Sequence, residues 1–145
     1  MERGGIGKVG TFFGLNDYDP IPDSVIPHES LDLVTCYIGL HHCPREKLAD
    51  YIASIRRVLR PGGIFVLRDH DAGSDKMKVF CSLVHTVFNA GLGVSWQVDR
   101  EELRLFEGID FWAEQLVQGG FDDTGKRFLQ AHDPSLNTLT CFIKR

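Results

Sequence analysis

No stretch of this 145-residue chain is apolar over anything near the ~20 residues a bilayer-spanning helix needs. Nor is Met1-Glu2-Arg3-Gly4-Gly5 followed by the apolar core of a secretion signal, so a cytoplasmic protein is expected, with no membrane partner. No two of the four cysteines, Cys36, Cys43, Cys81 and Cys141, share a C-x-x-C spacing, which removes the usual redox-pair and cysteine-cluster metal patterns. Cys36 and Cys141 fall inside apolar strand patterns, so buried free thiols in a reducing compartment are expected. Charge of neither sign dominates. The 16 Lys and Arg against 20 Asp and Glu give a formal charge of -4, which offers no general attraction to nucleic acid. Internal repeats, low-complexity tracts and linkers are also missing, and 43% hydrophobic residues suffice for one domain over residues 1–145.

A G-x-G-x-x-G occurs at Gly5, Gly7 and Gly10, but a dinucleotide-binding loop must follow a buried strand and open a helix. Only four residues precede it and Thr11-Phe12-Phe13 reads as strand, so the glycines form a flexible lead-in. No Ser or Thr follows Lys8, which removes a P-loop.

What is present is a strand–helix–strand unit over residues 30–71. Residues 31–38, Leu-Asp-Leu-Val-Thr-Cys-Tyr-Ile, and 64–67, Ile-Phe-Val-Leu, are nearly continuous in apolar and β-branched side chains, as strands buried on both faces of a parallel sheet require. Between them Pro44 sits where a first-turn proline is tolerated, and Leu48, Tyr51, Ile52, Ile55, Val58 and Leu59 recur at helical spacing. Arg56, Arg57 and Arg60 favour the helix C-terminus, and Pro61-Gly62-Gly63 is read as its stop. The unit is a right-handed βαβ crossover.

Around it, residues 9–15 are expected to form a short strand, and Pro20, Pro22 and Pro27 an extended path. Residues 68–74 read as a polar loop at the C-terminal end of the second strand, the edge where open α/β sheets bind ligands. Helices are expected over 77–90 and 109–118, and a short one through Phe106 with Asp99 and Glu102 as a capping box. His85, within the first of these, reads as structural or surface. Strands at 126–130 and 137–143 make an antiparallel hairpin.

The order S-x-D-x-V at Ser30–Val34, Leu40-His41-His42, then R-x-L-x-P-G-G at Arg57–Gly63 before a buried strand, with Gly119-Gly120-Phe121 later, resembles the class I S-adenosylmethionine-dependent methyltransferases. The resemblance covers about residues 12–145. It implies an α/β, Rossmann-like fold with a mainly parallel sheet and a C-terminal antiparallel hairpin, and S-adenosylmethionine as cofactor. The family's first two strands, with their glycine-rich loop and ribose-binding acid, find no counterpart in the 29 residues before Ser30. The resemblance therefore implies a domain truncated at its N-terminus, whose cofactor binding and activity are impaired unless those segments are supplied.

Residue by residue, the resemblance sets Asp17 and its neighbour Asn16, with Tyr37, Gly39 and Leu40, beside the cofactor. For Asp17 an ordinary Asx turn stays open as well. It puts His41 and His42 where a histidine acts as general base or orients the acceptor, and a hydrogen-bonded structural pair stays open beside that role. Arg68, His70 and Asp71 fall where acceptor contacts lie, or in a solvated loop. No metal is assigned: His41, His42 and Cys43 would need ligands from elsewhere, such as His70 or Asp71, because adjacent side chains rarely converge. Two functions compete, a methyltransferase with an unidentified acceptor and a non-catalytic methyltransferase-like interaction module. In either, the family pairs the strand at 31–38 with a strand missing here, so a homodimer through that edge or through residues 9–15 is expected.

Overall fold

In the computed structural model, which describes residues 10–145, the first strand β1 (Leu31–Tyr37) runs parallel to β2 (Leu59–His70), pairing Val34 with Phe65 and Cys36 with Leu67. Gly5 and Gly7 of the lead-in lie outside the described residues, and residues 10–15 form no strand. A 3₁₀ turn (Leu40–His42) leads to α1 (Leu48–Val58), which turns Leu48, Tyr51, Ile52, Ile55 and Val58 inward at helical spacing. The helix starts later than expected, because Pro44 opens a separate turn closed by the Lys47 N–H on its carbonyl at 2.9 Å. It also stops earlier. Leu59 is already extended and pairs with Leu31, so the Arg60-Pro61-Gly62-Gly63 segment is strand rather than helix tail. Glycine is required at two of those positions: Gly62 has φ +75, and a Cβ on Gly63 would lie 2.8 Å from the Arg60 carbonyl.

After β2 come α2 (Asp75–Gly91), capped by Ser74, then α3 (Trp96–Glu101) and α4 (Ile109–Gln118). The hairpin β3 (Phe121–Leu129) and β4 (Asn137–Lys144) closes the chain. The N-cap of α3 is Ser95, whose hydroxyl accepts from Val98 N–H; Asp99 is instead buried inside the helix against Arg104. The sheet order is β1-β2-β4-β3. Because β4 returns from the hairpin and inserts between β2 and β3, two of the three ladders are antiparallel, and the expectation of a mainly parallel sheet gives way to a mixed one.

The core lies on one face only. Phe65, Leu67, Phe121 and Phe142 meet Ile52 and Ile55 of α1 and Trp112 and Leu116 of α4. The expectation that β1 is buried on both faces is therefore corrected: Leu33 and Tyr37 point the other way and stay 53% and 55% exposed, because both sheet-packing helices cover the same side. At the C-terminal end of the sheet, α2 and the 102–108 segment form a smaller cluster around Ala72, Cys81 and Phe106. All four cysteines are free, and no helix among the described residues is long and apolar enough to cross a membrane.

Candidate functional site

The chain leaves β1 through a strained step. Ile38 has φ +52, a left-handed conformation that a β-branched residue seldom adopts, and its N–H is held by the Arg68 carbonyl at 2.7 Å. That step, with Gly39, aims the Leu40–His42 turn at the end of β2. His41 is fully buried there; its Nδ1 bonds to Asp69 Oδ1 at 2.6 Å, and the same oxygen accepts the His70 N–H at 2.8 Å. His42 Nδ1 bonds to the Leu103 carbonyl at 2.9 Å, and His70 Nδ1 to the Ser135 carbonyl at 3.0 Å. A carbonyl can only accept, so in both rings Nδ1 carries the proton. From α2 comes His85, whose Nε2 lies 3.2 Å from His70 Nε2.

Four histidines thus gather at one end of the sheet, with Phe106 stacked on His41 at 5.0 Å between ring centres. Three of them, His42, His70 and His85, border a cavity of about 470 Å³ lined also by Ile38, Phe88 and Glu102 among others, with His41 buried behind. Burial, reinforced by neighbouring imidazoles, lowers the pKa of His42 and His70 and pushes that of His85 down to about 4. All three are neutral bases near pH 7. Among the described residues, the buried side-chain atoms at this end of the sheet without hydrogen-bond partners include His41 Nε2, Asp69 Oδ2 and Asn137 Oδ1.

Beside the same turn lies the loop carrying Asn16 and Asp17. Residues Asn16, Asp17 and Tyr18 all have positive φ, a run that Asn and Asp tolerate. The Tyr18 hydroxyl donates to the Gly39 carbonyl at 2.5 Å, and Lys47 Nζ donates to the Asp17 carbonyl at 2.7 Å. The loop carrying Asn16 and Asp17 is thus tied to Gly39 through Tyr18 and to the start of α1 through Lys47. Asn16 also donates to Asp19, so the turn chemistry read from the sequence is present too. Leu40, expected beside the cofactor, is fully buried in the core and offers no exposed surface to a ligand. Gly39 has little room for a side chain, since a Cβ would lie 3.0 Å from Cys36 Sγ.

Arg68 and Asp71 are not brought into the cavity. Arg68 sits on the opposite sheet face and bonds to Gln130, and Asp71 Oδ1 accepts the Ile109 N–H at 3.0 Å at the start of α4. His85, Phe88 and Glu102 line the cavity without having been singled out for it. Nothing local marks them, because they reach the site only when α2 and the 102–106 segment fold over the sheet end.

A crossover β1–α1–β2 with β4 inserted antiparallel beside β2 is a Rossmann-like arrangement. Residues 16–67 match the methyltransferase domain family, in line with the resemblance read from the motifs. Solved structures share the fold. A 1,6-didemethyltoxoflavin-N1-methyltransferase of Burkholderia thailandensis, solved with 1,6-didemethyltoxoflavin and S-adenosylhomocysteine, is 18% identical, TM-score 0.54, over 81% of this chain and 45% of that one. An S-adenosylmethionine-dependent methyltransferase of Mesorhizobium loti is 14% identical, TM-score 0.57, over 82% and 64%. An O-methyltransferase family 2 protein of Planctomyces limnophilus, in complex with apigenin, is 15% identical, TM-score 0.58, over 89% and 32%. The chain thus spans less than two thirds of each of these three relatives. Among curated proteins none matches.

Proposed function

We propose that the chain takes part in methyl transfer from S-adenosylmethionine, with the histidine-lined cavity as the site of the methyl acceptor. The observation that carries this reading is the position of that cavity at the C-terminal ends of β1 and β2, beside the Tyr18–Gly39 contact that anchors the Asp17 loop. The exposed Asp17 carboxylate and the Gly39 backbone fit one side of the cofactor, whose sulfonium brings a methyl group already activated for transfer. The chain's own part is to hold the acceptor in line, exclude water with Val84 and Phe88, and take a proton where the acceptor must lose one. Neutral His42, its Nδ1–H fixed on the Leu103 carbonyl, keeps the Nε2 lone pair for that proton. The buried Asp69–His41 pair positions it from behind. The test is S-adenosylhomocysteine formation by the chain, together with any N-terminal segment its activity requires, with His42→Ala as the variant. Turnover should drop by about 10²- to 10⁴-fold while the melting temperature holds. Unchanged turnover would remove His42 from the reaction.

A second reading, a dimerising interaction module, draws on the edge of β1, beside which no further strand lies among the described residues, and on the apolar face next to it. Homodimer formation through that edge would appear in sedimentation at micromolar concentration and be weakened by Leu33→Lys. A monomer throughout would remove it.

A further inference from the structure

The methyl-transfer reading does not use the orphaned Nε2 of His41, which is fully buried and has no hydrogen-bond partner. A buried ring nitrogen without a partner is costly, and its cost is relieved by a ligand that accepts its lone pair. The lone pair is there because Nδ1–H is committed to the Asp69 carboxylate. We infer that His41, His42 and His85 form a binding site for a divalent transition-metal ion of the zinc type, with a fourth position open to the cavity.

One ring nitrogen from each of the three lies within 4.8 Å of the other two. Around tetrahedral zinc, nitrogens stand about 3.3 Å apart at ordinary Zn–N lengths, so the rings need to close by up to about 1.5 Å. His85 sits on α2 and His42 on the exposed turn, both half-buried and able to move that far. The second nitrogens are held as metal-binding histidines require: His41 by a carboxylate and His42 by a backbone carbonyl. His85 is held by His70, whose own Nδ1–H is spent on the Ser135 carbonyl. With His70 Nε2 accepting, His85 donates Nε2–H and keeps Nδ1 for the ion, which makes His70 a positioning residue. Nitrogen-only ligation favours zinc over magnesium or calcium. The nearby Glu102 carboxylate is held by Arg104 and Asn89, which leaves the fourth position to water or to an oxygen or sulfur of a bound molecule. An ion held by His42 Nε2 takes the lone pair that the methyl-transfer reading keeps for a proton, so the two are alternative uses of His42, and metal binding is read without any turnover.

Cobalt(II) titration of the full chain, followed by the visible absorption of a low-coordinate ion and by zinc displacement, tests it. One ion per chain is expected. His42→Ala and His85→Ala should each weaken binding by more than about 100-fold, and Asp69→Asn by about 10- to 100-fold, the effect typical of an outer partner. Replacing the two exposed histidines outside the cluster, His28→Ala with His132→Ala, should change nothing. Circular dichroism checks that each variant folds. Absence of saturable binding, equal affinity in folded His42→Ala and His85→Ala, or loss of binding in the His28/His132 variant would each overturn the site.

Discussion

The two faces of the sheet are made from the same strands and have opposite fates. Along one row, Val34, Phe65 and Phe142 lie under α1 and α4 and form the core. One residue away, the row Leu33, Ile64 and Ile143 is apolar yet 53%, 39% and 39% exposed. Further along, Tyr37, Arg68, Leu139 and Phe128 make another outer row, with Tyr37 and Phe128 exposed. An apolar patch across several strands is unusual on a monomer surface and marks a place of contact. The difference teaches that the covered face supplies stability, while the sheet's C-terminal rim, where β1 and β2 end, carries the histidine-lined cavity. Neighbouring positions in one strand should therefore behave as though they belonged to different proteins.

The largest expected effect tests that directly. Phe65→Ala should cost about 3–5 kcal/mol in urea unfolding, because it opens a cavity under both helices. Ile64→Ala, the adjacent residue, should cost about 1 kcal/mol, in line with its partial exposure. Equal losses would mean the outer face is covered in solution. Next comes the junction of α1 and α4, where a Cβ on Gly119 would stand 2.4 Å from Ile52 Cγ2. Gly119→Ala should destabilise by about 1–3 kcal/mol through forced repacking, measured the same way, and a neutral result would show that the covered face is loosely packed.

A smaller effect belongs to the rim. Burial alone would raise the pKa of Asp133, but hydrogen bonds from Ser135 and Asn137 bring it below the usual carboxylate value. A folded pKa below the unfolded value, ~3.9, means stability that is present above that pH and lost as pH falls through the folded value. Asp133→Asn should accordingly flatten the acid limb of stability below about pH 4. An unaltered limb would remove Asp133 from the linkage.

Where information is local, the sequence was legible. The span of α4, residues 109–118, was read as it stands, and β1, α1 and the C-terminal hairpin were found within a few residues, because apolar period and turn residues are written along the chain. Where two local signals compete it was not. Asp99 and Glu102 have capping-box spacing, but Ser95 takes the cap while Arg104 takes Asp99. Pro61-Gly62-Gly63 reads as a helix stop, yet pairing of Leu59 with Leu31 starts the strand before it. The site divides in the same way. His41, His42 and His70 follow from strand ends, whereas His85 and Glu102 arrive from elements whose packing no spacing announces.

The central claim, that the rim between the Asp17 loop and the histidine cavity is the working end, is tested most directly by amide chemical-shift mapping of the chain titrated with S-adenosylhomocysteine to millimolar concentration. The account expects shifts at Asp17, Gly39 and Leu40, reaching His42, with Leu33, Ile64 and Ile143 unmoved. Shifts confined to that outer row, or none at any concentration reached, would contradict it.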